Sequence, residues 1–268
     1  MNPPRPWRPT PLLILTGLVH LGVVVAWLAR PASWPAWLLL LAANHAVLSA
    51  AGLWPRSRLL GPNILRLPEA AIQRREVAIT IDDGPDPELT PQVLDILEAH
   101  RARASFFCIG ARAEAHPALI AEIVRRGHDI ENHSQRHRHS FSLMGPGGFR
   151  REIAAAQASL GRLAGDAPRF FRAPAGLRNP FLEPQLAAQG LQLAAWTRRG
   201  FDTRERDPER ILARLLDGLA AGDILLVHDG HGALDARGRP VILSVLPRLL
   251  EAIAAAGLRP VSLRQGFR

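Results

Sequence analysis

Two adjacent aspartates follow a predicted strand and could carry acid–base or metal chemistry. Residues 77–81 alternate β-branched side chains with small or polar ones, which is typical of a half-buried strand, and Asp82 and Asp83 come next. Carboxylates this close repel each other unless a cation or an arginine lies near them. We therefore expect the rest of the chain to supply a partner for each.

Two histidines are candidate partners. His133 and His137 are four residues apart in the stretch HSQRHRHS, a spacing at which two imidazoles on a turn can reach one ion. Two imidazoles and one carboxylate make a three-ligand site for a divalent metal with positions left for water and substrate, as in catalytic zinc sites. The other aspartate would then be free to act as a general base. Taken alone, the stretch could also be a solvated basic loop in which His139 is equivalent to the others.

A third histidine could serve as a general acid. His228 ends the apolar run 224–227, and a nearby carboxylate would hold its tautomer and raise its pKa. Asp202 is the carboxylate that we expect there, with Asp229 as its competitor, while His231 competes with His228 itself. The alternative for His228 is a core histidine whose hydrogen bonds are satisfied within the fold.

A repeated unit of strand, polar loop and helix must position these side chains. The predicted strands are residues 77–81, 105–109, 129–132, 169–171, 191–196, 224–227 and 259–262. Helices are expected between them: one begins at Pro91 with Thr90 as the cap, and others are expected at 117–126, 208–222 and 241–256. Strands that alternate with helices indicate a parallel sheet, and this number suggests a deformed (β/α)7-type barrel. Catalytic residues gather at the carboxyl ends of barrel strands, so the polar residues above should meet in space.

The N-terminal part of the chain has a different composition. After a proline- and arginine-rich tail at residues 1–10, the runs 11–29 and 34–54 contain no Asp, Glu, Lys or Arg. Each is close to the roughly 20 residues that a membrane-spanning helix needs. The tryptophans near these runs fit an interfacial belt; they are Trp7, Trp27, Trp34, Trp37 and Trp54. We expect a transmembrane hairpin rather than a cleaved signal peptide, because the first run lacks a small–x–small cleavage pattern and a second span follows.

Flanking charge predicts how the hairpin is oriented. Arg5 and Arg8 precede the first run, several arginines follow the second, and the connector carries only Arg30. The positive-inside rule then predicts a multi-pass inner-membrane protein with its tail and catalytic domain in the cytoplasm. The expected divisions are a tail at 1–10, a hairpin at 11–54, a linker at 55–75 and a catalytic domain at 76–268. Polar residues inside the spans, namely His20, Asn44 and His45, are expected to hydrogen-bond between the two helices.

The overall charge argues less strongly for a partner. The 268 residues include 33 basic ones, all arginine, and 24 acidic ones, for a net charge of +9. Such a balance suits nucleic acid or an anionic membrane, but the arginines are dispersed and no nucleic-acid module is evident, so we expect no nucleic-acid partner. The single cysteine, Cys108, excludes an internal disulfide and a multi-cysteine zinc site, and its apolar surroundings predict burial.

Taken together, four motifs resemble those of the polysaccharide deacetylases, the NodB-type domains of carbohydrate esterase family 4. They occur in the family's order, as TIDDG, H-x-x-x-H, RAPAG and LVHD, and the words ASFFCIG and GHDIENHSQRH agree with it. The resemblance covers residues 76–268 and does not extend to the hairpin.

This resemblance implies a metal site and a base. Asp83, His133 and His137 would bind a divalent ion, most often Zn²⁺, with Co²⁺ or Ni²⁺ as alternatives. Asp82 would be the general base that takes a proton from the attacking water. Arg172 would pair with Asp82 and hold it ionised and oriented.

The resemblance also implies how the acyl group and the leaving group are handled. The backbone N–H of Ala175 would stabilise the oxyanion, Leu226 would line the acetyl-methyl pocket, and His228 would protonate the amine with Asp202 tuning it. The family usually has an aromatic residue in place of Ala175 and a tryptophan in place of Thr203. Both departures open the cleft and bear on the substrate more than on the chemistry.

The implied activity is hydrolysis of an N-acetyl group on an amino-sugar glycan or a lipid-linked amino sugar, with release of acetate. An O-acetyl esterase or a deformylase of a lipid-linked formamido sugar would use the same site. A membrane-tethered glycan-binding module without catalysis is the alternative from another class. The hairpin and the expected orientation favour a lipid-linked substrate over an exported polymer.

Overall fold

The computed structural model describes residues 3–268, so the first two residues of the predicted tail lie outside the described part. The parallel strands are β1 (Glu76–Asp82), β2 (Ala104–Cys108), β3 (Asp129–Asn132), β4 (Phe170–Phe171), β5 (Gln192–Leu193), β6 (Arg198–Arg199), β7 (Ile224–His228) and β8 (Arg259–Val261). The helices are α1 (Pro11–Ala29), α2 (Trp34–Leu53), α3 (Glu69–Gln73), α4 (Leu89–Ala99), α5 (Gly110–Ala115), α6 (Pro117–Arg125), α7 (Pro146–Ala164), α8 (Leu182–Ala188), α9 (Pro208–Leu216), α10 (Ile242–Ala255) and α11 (Leu263–Gly266).

The sheet is a curled half-barrel with β1 near its middle. Its order is β5-β4-β3-β2-β1-β7-β6, every pairing is parallel, and β8 pairs with the first residues of β1. This arrangement confirms the deformed (β/α)7-type barrel. Parallel pairing brings the carboxyl ends of these strands to one rim.

Residues between the hairpin and β1, predicted to be a linker, help to close the barrel. Residues 194–197 join the two edge strands, and Ile64 pairs with the beginning of this connection: its N–H donates to the Leu193 carbonyl and its carbonyl accepts from the Ala195 N–H. Leu67 and Ala71 of the same segment are buried against the sheet. This segment is therefore packed into the fold.

Most predicted elements match the structure, with four differences. The strand predicted at 191–196 is only two residues long, and β6 was missed because a two-residue strand of arginines has no apolar pattern. The helix predicted to run to residue 222 ends at Leu216. Thr90 is not a helix cap. The Asp86 carboxylate accepts from the N–H groups of Glu88 and Leu89 at the start of α4, and the Thr90 hydroxyl donates to Asp229 instead.

Alternation along β1 and β7 separates two layers of core. Val77, Ile79 and Ile81 face the helices in the larger apolar cluster, whereas Ala78 packs inside the barrel. Since side chains alternate across a strand, Thr80 and Asp82 share the inner face with Ala78. The inward row of β1 therefore ends in a carboxylate.

Helices α1 and α2 form an antiparallel pair that is long and apolar enough to cross a membrane, although helices near an N-terminus also occur in signal sequences. The Thr16 hydroxyl donates to the Asn44 side-chain oxygen at 3.2 Å, which links the two helices. His20 and His45 each bond to a carbonyl of their own helix, and their rings meet edge to face at 5.2 Å. The expected interhelical hydrogen bond is thus made by Asn44, and the histidines contribute a ring contact.

The C-terminal end of α2 is docked on the catalytic domain. The Gly52 carbonyl accepts from the backbone N–H of Arg178 at 3.1 Å, and the Arg178 guanidinium donates to the Ser57 carbonyl at 2.6 Å. A Cβ added at Gly52 would lie 2.2 Å from the Arg178 carbonyl oxygen, so only glycine permits this approach. On the other side, Arg5 pairs with the buried Glu183 at 3.1 Å. The tail that precedes the hairpin and the end of α2 are thereby both fixed to the domain.

Because α2 packs so closely at Gly52, adding one methyl group there should lower the stability of the folded protein. Gly52→Ala should destabilise the full-length protein by about 1–3 kcal/mol, the usual cost of overpacking. Its matched control is Gly22→Ala, because a Cβ at Gly22 meets no atom within 4 Å. Thermal unfolding and limited proteolysis in detergent would measure both. Equal stability of the two variants would contradict the docked arrangement.

Candidate functional site

A cleft of about 720 Å³ opens at the carboxyl ends of the strands. It is lined by most of the side chains that the sequence predicted to converge, although Arg172 and Asp202 are not among its lining residues. Among its lining residues are Asp82, Asp83, His133, His137 and His228. Residues far apart in the chain are therefore brought to one cavity.

The two aspartates reach the same cavity because the backbone turns between them. Asp82 continues the inward row of β1, and in a continuing strand Asp83 would point to the opposite face. Asp83 instead has φ of 76°, in the left-handed region that non-glycine residues seldom occupy. Both carboxylates are at least 95% buried, and neither could occupy this position without partners.

Asp83, His133 and His137 form a cluster whose ligand atoms all lie within 4.8 Å of one another. Within residues 3–268 no group hydrogen-bonds to the buried Oδ1 atom of Asp83, which lies 3.3 Å from Nε2 of His133 and 3.2 Å from Nε2 of His137. Nδ1–H of His133 donates to the Arg172 carbonyl at 2.8 Å, which leaves the Nε2 lone pair directed toward the carboxylate. Lone pairs that face an unpartnered carboxylate oxygen fit a divalent cation between them.

Electrostatics within this cluster favour the ionised carboxylate but act differently on the two histidines. Burial acts to lower the pKa of His133, but the nearby Asp82 and Asp83 raise it above its ordinary value. Burial opposes ionisation of Asp83, but contacts with His133 and His231 outweigh it and hold the pKa of Asp83 below its usual range. Burial, together with the neighbouring His133, lowers the pKa of His137 to about 4. A neutral imidazole is the form that binds metal.

Arg172 follows β4 and is fully buried beneath the site. One guanidinium nitrogen donates to the Asp82 carboxylate at 2.7 Å and to the Thr80 hydroxyl at 2.8 Å, and the others donate to the carbonyls of Ala194 and Ala195. The guanidinium also lies 4.1 Å from the centre of the Phe107 ring. Asp82 therefore has a fixed cationic partner, separate from the metal-site cluster.

His228 and Asp202 form a second pair on the opposite side. Nδ1 of His228 lies 2.8 Å from Oδ1 of Asp202, and the His228 backbone N–H donates to Oδ2 at the same distance. Burial acts to lower the pKa of His228, but Asp202 and the more distant Asp82 raise it above the ordinary value of 6.5. His228 is the register partner of Asp82 across β1 and β7, so these groups sit side by side on adjacent strands.

Ala175 and Leu226 line the cleft near these groups. Ala175 is exposed, with φ of 55° in the turn Pro174–Gly176, and Leu226 is buried on the inner face of β7, two residues before His228. Trp196 and Phe201 also line the cleft and supply aromatic surface where Ala175 lacks it.

The competing candidates contact other groups or lie at the edge of the cleft. Asp229 turns away from His228 and accepts from the Thr90 hydroxyl at 2.5 Å, and burial raises the pKa of Asp229 to about 7. His231 lies 3.4 Å from Oδ2 of Asp83, and Arg112 donates to its other ring nitrogen at 2.9 Å. His139 is an exposed residue at the cleft edge. Asp202, rather than Asp229, is thus the partner of His228.

Sequence reasoning missed two groups that support this geometry. Thr80 bonds to Arg172 inside the barrel, and its inward register with Asp82 was the signal that could have identified it. Arg112 donates to the Asp83 carbonyl at 2.9 Å from α5, and no local pattern marks it. Cys108, as predicted, is buried, and burial raises the pKa of its thiol.

Comparisons with known proteins agree with this architecture. The family model described as polysaccharide deacetylase matches residues 70–194. A peptidoglycan-N-acetylglucosamine deacetylase from Bacillus cereus is 32% identical over 203 residues, which are 73% of this chain and 69% of the relative. A chitooligosaccharide deacetylase from Bradyrhizobium sp. is 33% identical over 190 residues, 68% of this chain and 86% of the relative.

A solved structure shows the same fold. The peptidoglycan N-acetylglucosamine deacetylase Bc1960 superimposes with a TM-score of 0.67 at 30% identity, over 76% of this chain and 92% of that one. Enzymes of this family are metal-dependent deacetylases, and the Asp83, His133 and His137 cluster is present here. The chain belongs to the polysaccharide deacetylases, carbohydrate esterase family 4.

Proposed function

We propose that this protein hydrolyses the N-acetyl group of a lipid-linked amino sugar at a membrane surface. The two named relatives act on N-acetylated glycans, peptidoglycan and chitooligosaccharide, which supports an N-acetylglucosamine-type sugar. The hairpin would anchor the chain in the inner membrane, with the arginines that flank it favouring a cytoplasmic catalytic domain.

The observation that supports a lipid-linked substrate is the contact between the cleft and the residues that follow α2. Pro55, two residues beyond the end of α2, lies against Gly176 in the turn that contains Ala175. A Cβ at Gly176 would meet Pro55 at 2.6 Å and the Trp196 ring at 2.7 Å. Gly176 and Trp196 both line the cleft. With α2 in a membrane, the cleft would open beside the lipid surface.

The residues divide the chemistry as follows. Asp83, His133 and His137 would hold the divalent ion, and zinc suits two imidazoles and a carboxylate. When bound, the ion supplies Lewis-acid polarisation of the acetamide carbonyl and a water of lowered pKa. Asp82, oriented by Arg172, would accept the proton of the attacking water.

Two further groups in the cleft would stabilise the oxyanion and protonate the departing amine. The backbone N–H of Ala175 would donate to the developing oxyanion, since it belongs to a turn at the cleft surface. His228, kept protonated by Asp202, would donate a proton to the departing amino group through Nε2. Leu226 would contact the acetyl methyl group. The products would be acetate and the free amino sugar.

Separate variants should distinguish the base from the metal site. Asp82→Asn should lower kcat by about 10²–10⁴-fold, because a positioned base contributes that much, while bound metal stays unchanged. His133→Ala should lose both turnover and metal. Acetate release and metal content by mass spectrometry would be measured on the purified full chain. Full turnover in either variant would rule out the mechanism.

The pair Asp202 and His228 predicts a pH effect with a definite sign. His228 must be protonated to act as an acid, so activity should fall as pH rises through its raised pKa. Asp202→Asn removes the anion that raises this pKa, and the alkaline limb of kcat/KM should move to lower pH. Asp217→Asn, an exposed aspartate on another face, is the matched control. An unmoved limb in Asp202→Asn would contradict the assignment.

The substrate is tested by presenting one sugar in two forms. The full chain, in phosphatidylcholine vesicles, should release acetate faster from an N-acetylglucosaminyl lipid than from soluble N-acetylglucosamine oligomers. Release of formate from the formamido analogue, or of acetate from an O-acetyl ester, at a higher rate would instead favour the deformylase or the esterase. Preference for the soluble oligomer would overturn the lipid-linked proposal.

A reporter fused after Arg268 should behave as cytoplasmic.

A further inference from the structure

The cleft is lined by arginines that have no role in the proposed reaction. Four arginines line it, Arg112, Arg136, Arg199 and Arg204, and within residues 3–268 none forms an ion pair with a carboxylate side chain. Arginines elsewhere behave differently. Arg126, for example, contacts three carboxylates on α4 and α6. Unpaired cations around a cavity indicate an anionic ligand.

Arg199 is the most firmly positioned of the four. Its guanidinium lies 5.2 Å from the centre of the Trp196 ring and 5.0 Å from that of Phe201. These stacking contacts fix the plane of the guanidinium while leaving its edge free to donate. Its buried Nε atom has no hydrogen-bond partner in the described part of the chain. The side chain is therefore held in place with donors that no group of the protein uses.

The acidic side chains near Arg199 in sequence have other partners. Asp202 is bound to His228, and Glu205 pairs with Arg214 at 3.2 Å. Arg204 is exposed, lines the same cleft, and donates its backbone N–H to the Phe201 carbonyl. This wall, formed by Arg199 and Arg204, therefore has a net positive charge.

The arginine wall lies on the side of the cleft next to the end of α2. Trp196, on which Arg199 stacks, contacts the Gly176 turn against which Pro55 packs. The neighbouring Thr197 carbonyl accepts from Arg56, just beyond α2. In a sugar joined to a lipid by phosphate, the phosphate lies between the sugar and the membrane. An anion-binding group is thus placed on the side from which such a phosphate would enter.

We propose that Arg199 and Arg204 bind the phosphate that joins the amino sugar to its lipid. This inference rests on the proposed function and specifies its substrate class as a lipid-phosphate-linked N-acetyl amino sugar. Arginine suits the role because its planar fork can donate two hydrogen bonds to phosphate oxygens. The reacting acetamide would lie at the metal site while the phosphate stays at the wall.

The test compares two lipids that differ only in the phosphate. The full chain in phosphatidylcholine vesicles is assayed on an N-acetylglucosaminyl phosphate ester of a long-chain alcohol and on the neutral glycoside of the same alcohol. The wild type should prefer the phosphate lipid. In Arg199→Met and Arg204→Met, the ratio of kcat/KM for phosphate over neutral substrate should fall about tenfold, mainly through KM, as expected for a loss of about 1.4 kcal/mol. Arg162→Met, an exposed arginine on α7, is the matched control.

The outcomes separate this inference from the proposed function. An unchanged ratio in both variants, with active wild type, would overturn the phosphate site and leave the lipid-linked function standing. Failure of the wild type to release acetate from either lipid would overturn the proposed function itself. Replacing part of the phosphatidylcholine with phosphatidylglycerol tests whether the two arginines bind membrane headgroups instead. If the variants lower kcat/KM on the neutral lipid as much as on the phosphate lipid, and only in vesicles with phosphatidylglycerol, the phosphate site is wrong. If Arg199→Met does not fold, Arg199→Lys, which keeps the positive charge, takes its place. It should retain part of the preference in kcat/KM for the phosphate lipid over the neutral lipid.

Discussion

The buried guanidinium of Arg172 joins the structural and chemical parts of the site. It ties β1 to the segment between the edge strands through Thr80, Asp82 and the carbonyls of residues 194 and 195. Its own backbone carbonyl fixes the ring of His133. Removing one partner of a buried ion pair typically costs about 3–5 kcal/mol, because the other charge is left without compensation. The proposed base, Asp82, and one proposed metal ligand, His133, thus depend on the same buried residue.

Much of this arrangement follows from patterns in the sequence. Regular alternation and recognisable helix ends located most strands and several helices, and the rule that active sites lie at strand carboxyl ends predicted that Asp82, His133 and His228 meet. The same reasoning left the partner of His228 open between Asp202 and Asp229. Only the path of the chain after β6 decides it, since Asp202 reaches His228 while Asp229 is held by Thr90.

Other features depend on contacts that a linear pattern does not record. The turn at Asp83, with its positive φ, is maintained by groups on α5 and on the loop after β7. The strand β6 has two residues and no apolar period, so its pairing comes from β7 alone. The packing of the segment before β1, and of α2 on Arg178, joins parts of the chain more than 100 residues apart. Such contacts arise from tertiary structure and leave no local signal.

The docking of α2 has a geometric consequence for a membrane-bound enzyme. Its 20 residues, at about 1.5 Å of rise each, match the roughly 30 Å of a hydrocarbon core, and no free chain separates the helix from the cleft. With the hairpin in a bilayer, the cleft would work at one fixed height above the lipid. Distance from the membrane would then decide which sugar of a lipid-linked glycan can be reached, in addition to the identity of that sugar.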